Sequence, residues 1–166
     1  EHFYVALKKG YASTAEAVER DIAAFEHGEV KYLKEVYPAG DEIILIKDTT
    51  GRVVPAGGLP IDVKVIVYNV ETILNTYRAL HGESVTHKYV TVGGAVKNPQ
   101  TYCVPLGTPL SCLVELAGGA TEDDTVLLNG GPMTGNLAKN DDTVKKTTNG
   151  VLVLPKTNPV IAQRMQ

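Results

Sequence analysis

Three stretches of this sequence join residue types that could do chemistry. The first is Tyr37-Pro38-Ala39-Gly40-Asp41-Glu42, a glycine turn beside two carboxylates. At the start of an element such carboxylates can aim acceptors at a ribose or another sugar hydroxyl. They can equally do no more than stabilise a helix N-terminus through its dipole. The second is Tyr68-Asn69-Val70-Glu71-Thr72. Asn69 can cap a helix and still offer a flat ring both donors and an acceptor, although capping alone explains its presence. The third is Gly130-Gly131-Pro132-Met133-Thr134-Gly135, whose consecutive glycines would let a ligand or partner approach closely. A plain β-turn accounts for it as well. Its spacing is not that of the dinucleotide-binding G-x-G-x-x-G loop, and no βαβ pattern surrounds it.

Other chemistries find no support. There is no nucleophile elbow, P-loop or HExxH helix. His2, His27, His81 and His87 are scattered at no metal-ligand spacing. Cys103 and Cys112 are too few for a closed zinc site or an iron–sulfur cluster within these residues, and two buried free thiols are expected. No catalytic residue and no metal ligand is therefore assigned. The net charge is -3 with no Lys/Arg cluster, which argues against nucleic acid as a partner. Hydrophobic residues make up 43% and charged residues 21%, a balance that can bury a core rather than stay disordered. No apolar run approaches the roughly 20 residues a membrane helix needs. The opening Glu1-His2-Phe3-Tyr4 has neither a basic n-region nor an initiating Met, as expected of a boundary inside a longer gene or of proteolytic maturation.

The elements that would position these stretches can be read from periodicity. Ser13 with Glu16 three residues on has the capping-box pattern, Val18, Ile22 and Phe25 follow at helical spacing, and Gly28 supplies a stop. Val30 to Tyr37 reads as a short strand, and Ile43 to Ile46 as a buried strand or a helix start. Residues 47–62 are rich in glycine and proline and read as a loop. Val63 to Val67 is expected to be a buried strand. Asn69 then caps a helix carrying Val70, Ile73, Leu74, Tyr77 and Leu80 on one face, with Gly82 at its end.

After Gly82 the pattern becomes β-rich. Tyr89 to Val96 and Thr101 to Val104 form a hairpin around Lys97-Asn98-Pro99-Gln100. Thr108 as N-cap and Pro109 as first helical residue open a helix with Leu110, Leu113, Val114 and Ala117 inward, stopped by Gly118-Gly119. Short strands follow at Thr125 to Asn129 and Val151 to Leu154. Asp123-Asp124 and Asp141-Asp142 read as turn-to-strand junctions rather than a calcium loop. A hairpin, one helix across it and further short strands make the ubiquitin-like β-grasp plan.

Taken together, Tyr37 to Glu42, Thr50-Gly51-Arg52-Val53-Val54-Pro55, Gly57-Gly58-Leu59-Pro60-Ile61-Asp62-Val63 and Asn69-Val70 resemble the RnfC-like proteins. These are flavin and iron–sulfur electron-transfer subunits related to the flavin subunit of respiratory complex I. Val90-Thr91-Val92, Gly94-Ala95-Val96, Pro99, Gly107-Thr108-Pro109, Ala117-Gly118-Gly119 and Gly130-Gly131-Pro132-Met133 resemble the SLBB β-grasp segment that follows in that family. The likeness runs from Val36 to Pro155. The N-terminal helix and the Val153-Leu154-Pro155 tail look closest to PduS-like cobalamin reductases and to the RnfC-like partner of clostridial proline reductase.

The resemblance implies an α+β chain. Residues 1–85 would be the C-terminal part of an FMN- and NADH-binding α/β domain, 86–155 the SLBB β-grasp domain, and 156–166 a linker toward an iron–sulfur domain. It implies a parent protein that passes electrons from NADH through FMN and 4Fe–4S clusters to a partner reductase or membrane complex. Such a protein would be cytoplasmic, or peripheral at the inner face of the cell membrane through partner subunits. Family positions facing FMN or the nucleotide carry over onto Tyr37, Asp41, Glu42, Tyr68, Asn69 and Thr72, and Gly130, Gly131 and Met133 form a ligand or partner loop. Three departures matter. Nothing before Tyr37 supplies the family's glycine-rich phosphate loop, the cluster cysteines that follow the SLBB segment are not reached by Gln166, and Tyr68 replaces the usual Asn or Gln. The expectation is a piece of the parent, inactive alone, with FMN bound weakly or not at all and no cluster. The alternative is an SLBB module that binds a ligand such as cobalamin, or docks subunits, without redox chemistry of its own. A severed sheet edge would favour self-association.

Overall fold

The computed structural model describes residues 2–164; Glu1 and residues 165–166 lie outside the described residues. The chain forms two compact units, Glu1–Leu74 and Asn75–Gln166.

In the first unit, strands β1 (Phe3–Lys8) and β2 (Gly28–Leu33) pair in parallel, from Phe3 opposite Gly28 to Lys8 opposite Leu33. Parallel strands need a crossover, and helix α1 (Ala12–Ile22) provides it. The helix does not start on a capping box. Its N-cap is Tyr11 with no side-chain cap, so Ser13 lies inside the first turn. The helix also ends before Phe25, and Gly28 opens β2 instead of stopping α1. The glycine answers to packing, because a Cβ there would lie 2.7 Å from the Phe3 ring and 3.1 Å from Ile22. The Tyr32 hydroxyl donates to Glu19 of α1 at 2.5 Å, and this bond to a carboxylate raises the phenol above its usual titration range.

Helix α2 (Glu42–Thr50) resolves the ambiguity at Ile43 to Ile46 in favour of a helix, with Ile46 buried. The expected strand at Val63 to Val67 does not form. Pro60–Val63 is a 3-10 turn, Lys64 takes a left-handed conformation (φ 55°), and Arg52 Nη1 donates to the Val63 and Lys64 carbonyls at 2.8 and 3.1 Å. A sheet would need those carbonyls for itself. Helix α3 (Val70–Leu80) starts on Asn69 as expected. Its apolar residues Val70, Ile73, Tyr77 and Leu80 are all more than half exposed.

The second unit is a five-stranded sheet in the order β4-β3-β7-β5-β6. Its strands are β3 (His87–Gly94), β4 (Gln100–Pro105), β5 (Thr125–Asn129), β6 (Asn136–Ala138) and β7 (Gly150–Pro155). The β3–β4 hairpin is antiparallel, β3 and β7 are parallel, and β5 runs antiparallel to β7 and β6. Helix α4 (Leu110–Leu116) crosses one face, which is the β-grasp arrangement. Alternation puts Val90 and Val92 of β3, Val104 of β4, Leu127 of β5, and Val151 and Val153 of β7 into one core with Leu110, Leu113 and Ala117. Pro109, not Thr108, is the N-cap of α4; the Thr108 hydroxyl donates to the Pro105 carbonyl instead. Gly118 and Gly119 both stop the helix with positive φ (82° and 87°).

The thiols are free but not both buried. Cys103 is exposed and Cys112 half-buried, because β4 points its neighbour Val104 inward and Cys103 outward. The aspartate pairs do sit at turns. Asp142 accepts from Lys139 N at 2.8 Å, and Asp124 pairs with Lys156. Residues 156–164 continue past β7 as a turn and the short helix α5 (Pro159–Ala162), whose Ile161 is fully buried.

Candidate functional site

The segment from Tyr37 to Glu42 folds as two linked turns leading into α2. Ala39 N donates to Val36 O at 3.1 Å and Asp41 N to Pro38 O at 2.7 Å. Ala39 is buried beneath these turns, while the Tyr37 ring is 69% exposed. Asp41 caps α2, its Oδ1 accepting from Ile43 N (3.1 Å) and Ile44 N (3.4 Å), and Glu42 sits exposed in the first turn. The modest reading of the carboxylates is therefore fully realised. Capping uses Oδ1 and leaves the other carboxylate oxygen as an acceptor.

The second segment is built alike. Asn69 Oδ1 accepts from Glu71 N at 2.9 Å, and the Asn69 carbonyl receives Thr72 N at 2.9 Å. Tyr68 and Thr72 are exposed on either side of that cap. The structure thus places all six predicted residues within one unit, at the N-terminal ends of α2 and α3. Between the two ends the chain is tied down by Arg52 on the 63–64 carbonyls and by Asp62, whose Oδ2 accepts from Leu59 N at 2.8 Å. Periodicity offered no signal for Arg52, since its acceptors are backbone atoms a dozen residues away.

The Gly130–Gly135 stretch connects β5 to β6 in the other unit. Its glycines are explained by closure of the loop on itself. A Cβ on Gly130 would lie 2.9 Å from Gly135 Cα, and one on Gly135 would lie 2.7 Å from Gly131 O. Gly135 N donates to Gly131 O at 2.8 Å, while Met133 is 65% exposed at the tip. The loop also has a partner that sequence reading missed. Arg164 donates to the carbonyls of Gly135, Pro132 (3.0 Å) and Met133 (3.3 Å). Among the described residues no group of three or more His, Cys, Asp and Glu could hold a metal ion. No helix among them is long and apolar enough to cross a membrane.

Comparison with known proteins bears on both units. Residues 1–78 match the family described as the Nuo51 FMN-binding domain, and residues 89–137 match the SLBB domain. Cobalamin reductase PduS of Citrobacter freundii is 52% identical over 136 residues, covering 81% of this chain and 30% of that protein. The RnfC-type subunit of the Na(+)-translocating ferredoxin:NAD(+) oxidoreductase complex of Acetobacterium woodii is 34% identical over 165 residues, covering 98% of this chain and 37% of that protein. The chain thus spans about a third of the length of the curated relatives it matches. Among solved structures, the H2-reduced NAD+-reducing [NiFe]-hydrogenase shares the fold with a TM-score of 0.66 at 21% identity, over 92% of this chain and 33% of that one.

Proposed function

Since the chain belongs with the RnfC subunits and PduS cobalamin reductases, joining a Nuo51 FMN-binding domain to an SLBB domain, we propose that it is part of an electron-transfer flavoprotein. In this reading the whole protein takes electrons from NADH through FMN and 4Fe–4S clusters and delivers them to a partner reductase or membrane complex. The observation that carries it is the order of the two domain matches together with 52% identity across 136 residues. The relatives do not favour an SLBB module without redox chemistry. A cytoplasmic, membrane-peripheral location through partner subunits belongs to the same proposal. The domain junction falls between α3 and β3, near residue 85, which keeps α3 whole, and the segment from residue 156 leads toward the iron–sulfur domain.

The candidate residues suit the ring side of FMN better than its phosphate. Tyr37 and Tyr68 present exposed aromatic faces beside α2 and α3. Asn69 keeps its amide N–H donors for a flat ring after its oxygen has capped α3, and Asp41, Glu42 and Thr72 offer acceptors for hydroxyl groups. Bound FMN would supply a centre that accepts two electrons from a nicotinamide and releases them one at a time. An anion site normally uses a glycine-rich loop opening a helix. Among residues 2–74 neither α1, α2 nor α3 is entered through one.

Two measurements test this reading. Fluorescence titration of the 166-residue chain with FMN is expected to show no saturation at low micromolar flavin, since the phosphate contact is a large share of the affinity. Stoichiometric flavin retained through purification would overturn that expectation. The second uses the whole protein that carries this chain, expected to bind FMN and to bleach it with NADH. There Asn69→Asp should keep the cap, because Asn and Asp are near-equal N-caps, and change stability by less than about 0.5 kcal/mol. It should nevertheless lower flavin affinity by removing the amide donors and adding a charge. Unchanged affinity would reduce Asn69 to a helix cap.

A further inference from the structure

We infer that residues 156–164 act as a latch that sets the shape of the Gly130–Gly135 loop, with Arg164 as its positioning residue. The loop turns three backbone carbonyls, those of Pro132, Met133 and Gly135, toward a single guanidinium. A planar group with five donors can satisfy several carbonyls at once, which no other side chain can do without rearranging. Within the loop, the contacts that hold it shut are few: Gly130 N to Gly150 O and Gly135 N to Gly131 O, each at 2.8 Å. The carbonyls at the tip depend on the arginine.

Arg164 is delivered from a fixed base. Lys156 N donates to Asp124 O at 3.1 Å, and its ammonium pairs with the Asp124 carboxylate at 2.5 Å. Asn158 N donates to Pro155 O at 2.9 Å, and Asn158 Oδ1 caps α5 by accepting from Val160 N at 3.0 Å. Ile161 is fully buried yet outside the core under α4, as is Leu128, which alternation turns away from Leu127. The segment after β7 is thus seated on the sheet face opposite α4, and it reaches across to the β5–β6 loop. Drawing the tip carbonyls inward leaves the Met133 side chain pointing outward. The matched SLBB stretch ends at residue 137, so neither β7 nor the latch is part of that match.

Hydrogen–deuterium exchange on the chain tests the coupling. In Arg164→Ala, exchange of the amides in peptides spanning 130–137 should rise about tenfold or more, as expected for lost charge-assisted bonds in a local opening. Peptides from β3 and β7 should stay protected. Arg164→Lys should restore protection only in part, because an ammonium cannot reach three carbonyls in one plane. If Arg164→Ala does not fold, Arg164→Gln, which keeps two donors, takes its place in the same comparison. Unchanged exchange in the loop of a folded variant would overturn the inference. So would an equal rise in β3 and β7, which would mark Arg164 as a general stabiliser rather than a latch.

Discussion

Gly94→Ala is expected to unfold the β-grasp unit under conditions where the unsubstituted chain is folded. Gly94 ends β3 at φ 84°, and an ideal Cβ there would stand 2.2 Å from the Val153 carbonyl oxygen. That oxygen belongs to the neighbouring strand β7 and accepts Ala95 N at 2.7 Å, so it cannot swing aside without opening the parallel β3–β7 pairing. The left-handed conformation costs a non-glycine residue roughly 1–2 kcal/mol, and forcing backbones apart adds about 1–3 kcal/mol. The sum, on the order of 4 kcal/mol, approaches the whole stability of a small domain, about 5 kcal/mol at the low end. Urea unfolding followed by exchange protection of β3 and β7 measures it. Gly131→Ala is the control, since its φ is ordinary and nothing lies within 4 Å of the added carbon. A Gly94→Ala protein as stable as Gly131→Ala would refute the clash.

A second large loss is expected from Leu113→Ala. Leu113 is fully buried on the inner face of α4, in one cluster with Val90, Val92, Leu110, Val151 and Val153. Truncation removes the transfer free energy of the side chain and leaves a cavity that strands on one side and a short helix on the other cannot easily collapse. The cost is about 3 kcal/mol, and in a domain of this size it lowers Tm by roughly 15 °C. Calorimetry of the whole chain should show this shift in the transition that carries the sheet. A shift below roughly 4 °C, equivalent to about 1 kcal/mol, would mean that α4 is held by something other than its apolar face.

The β-grasp half was legible because its patterns are local and strong. Alternating valines marked β3 and β7, Leu110, Leu113 and Ala117 marked the buried face of α4, and paired glycines marked its end. The three-residue strand β6 gave no comparable pattern and was missed. The first unit was read less well. Ser13 and Glu16 satisfy the capping-box pattern, yet the helix is already under way at Ala12, which leaves that box unused. Val63 to Val67 has strand composition, but a proline at the head of a 3-10 turn and an arginine on two carbonyls outweigh it.

Residue types and spacing by themselves determined the resemblance, the β-grasp plan, the α3 start at Asn69 and the six candidate positions. Each depends on local propensity or on side-chain period, which a linear chain carries in full. Only the tertiary structure decided which backbone atoms Arg52 and Arg164 would serve, which glycine a neighbouring carbonyl makes irreplaceable, and which thiol faces water. Those outcomes depend on atoms that lie far apart in the chain and meet only after folding, as Arg164 meets Pro132 across 32 positions. No pattern in the sequence encodes a meeting of that kind.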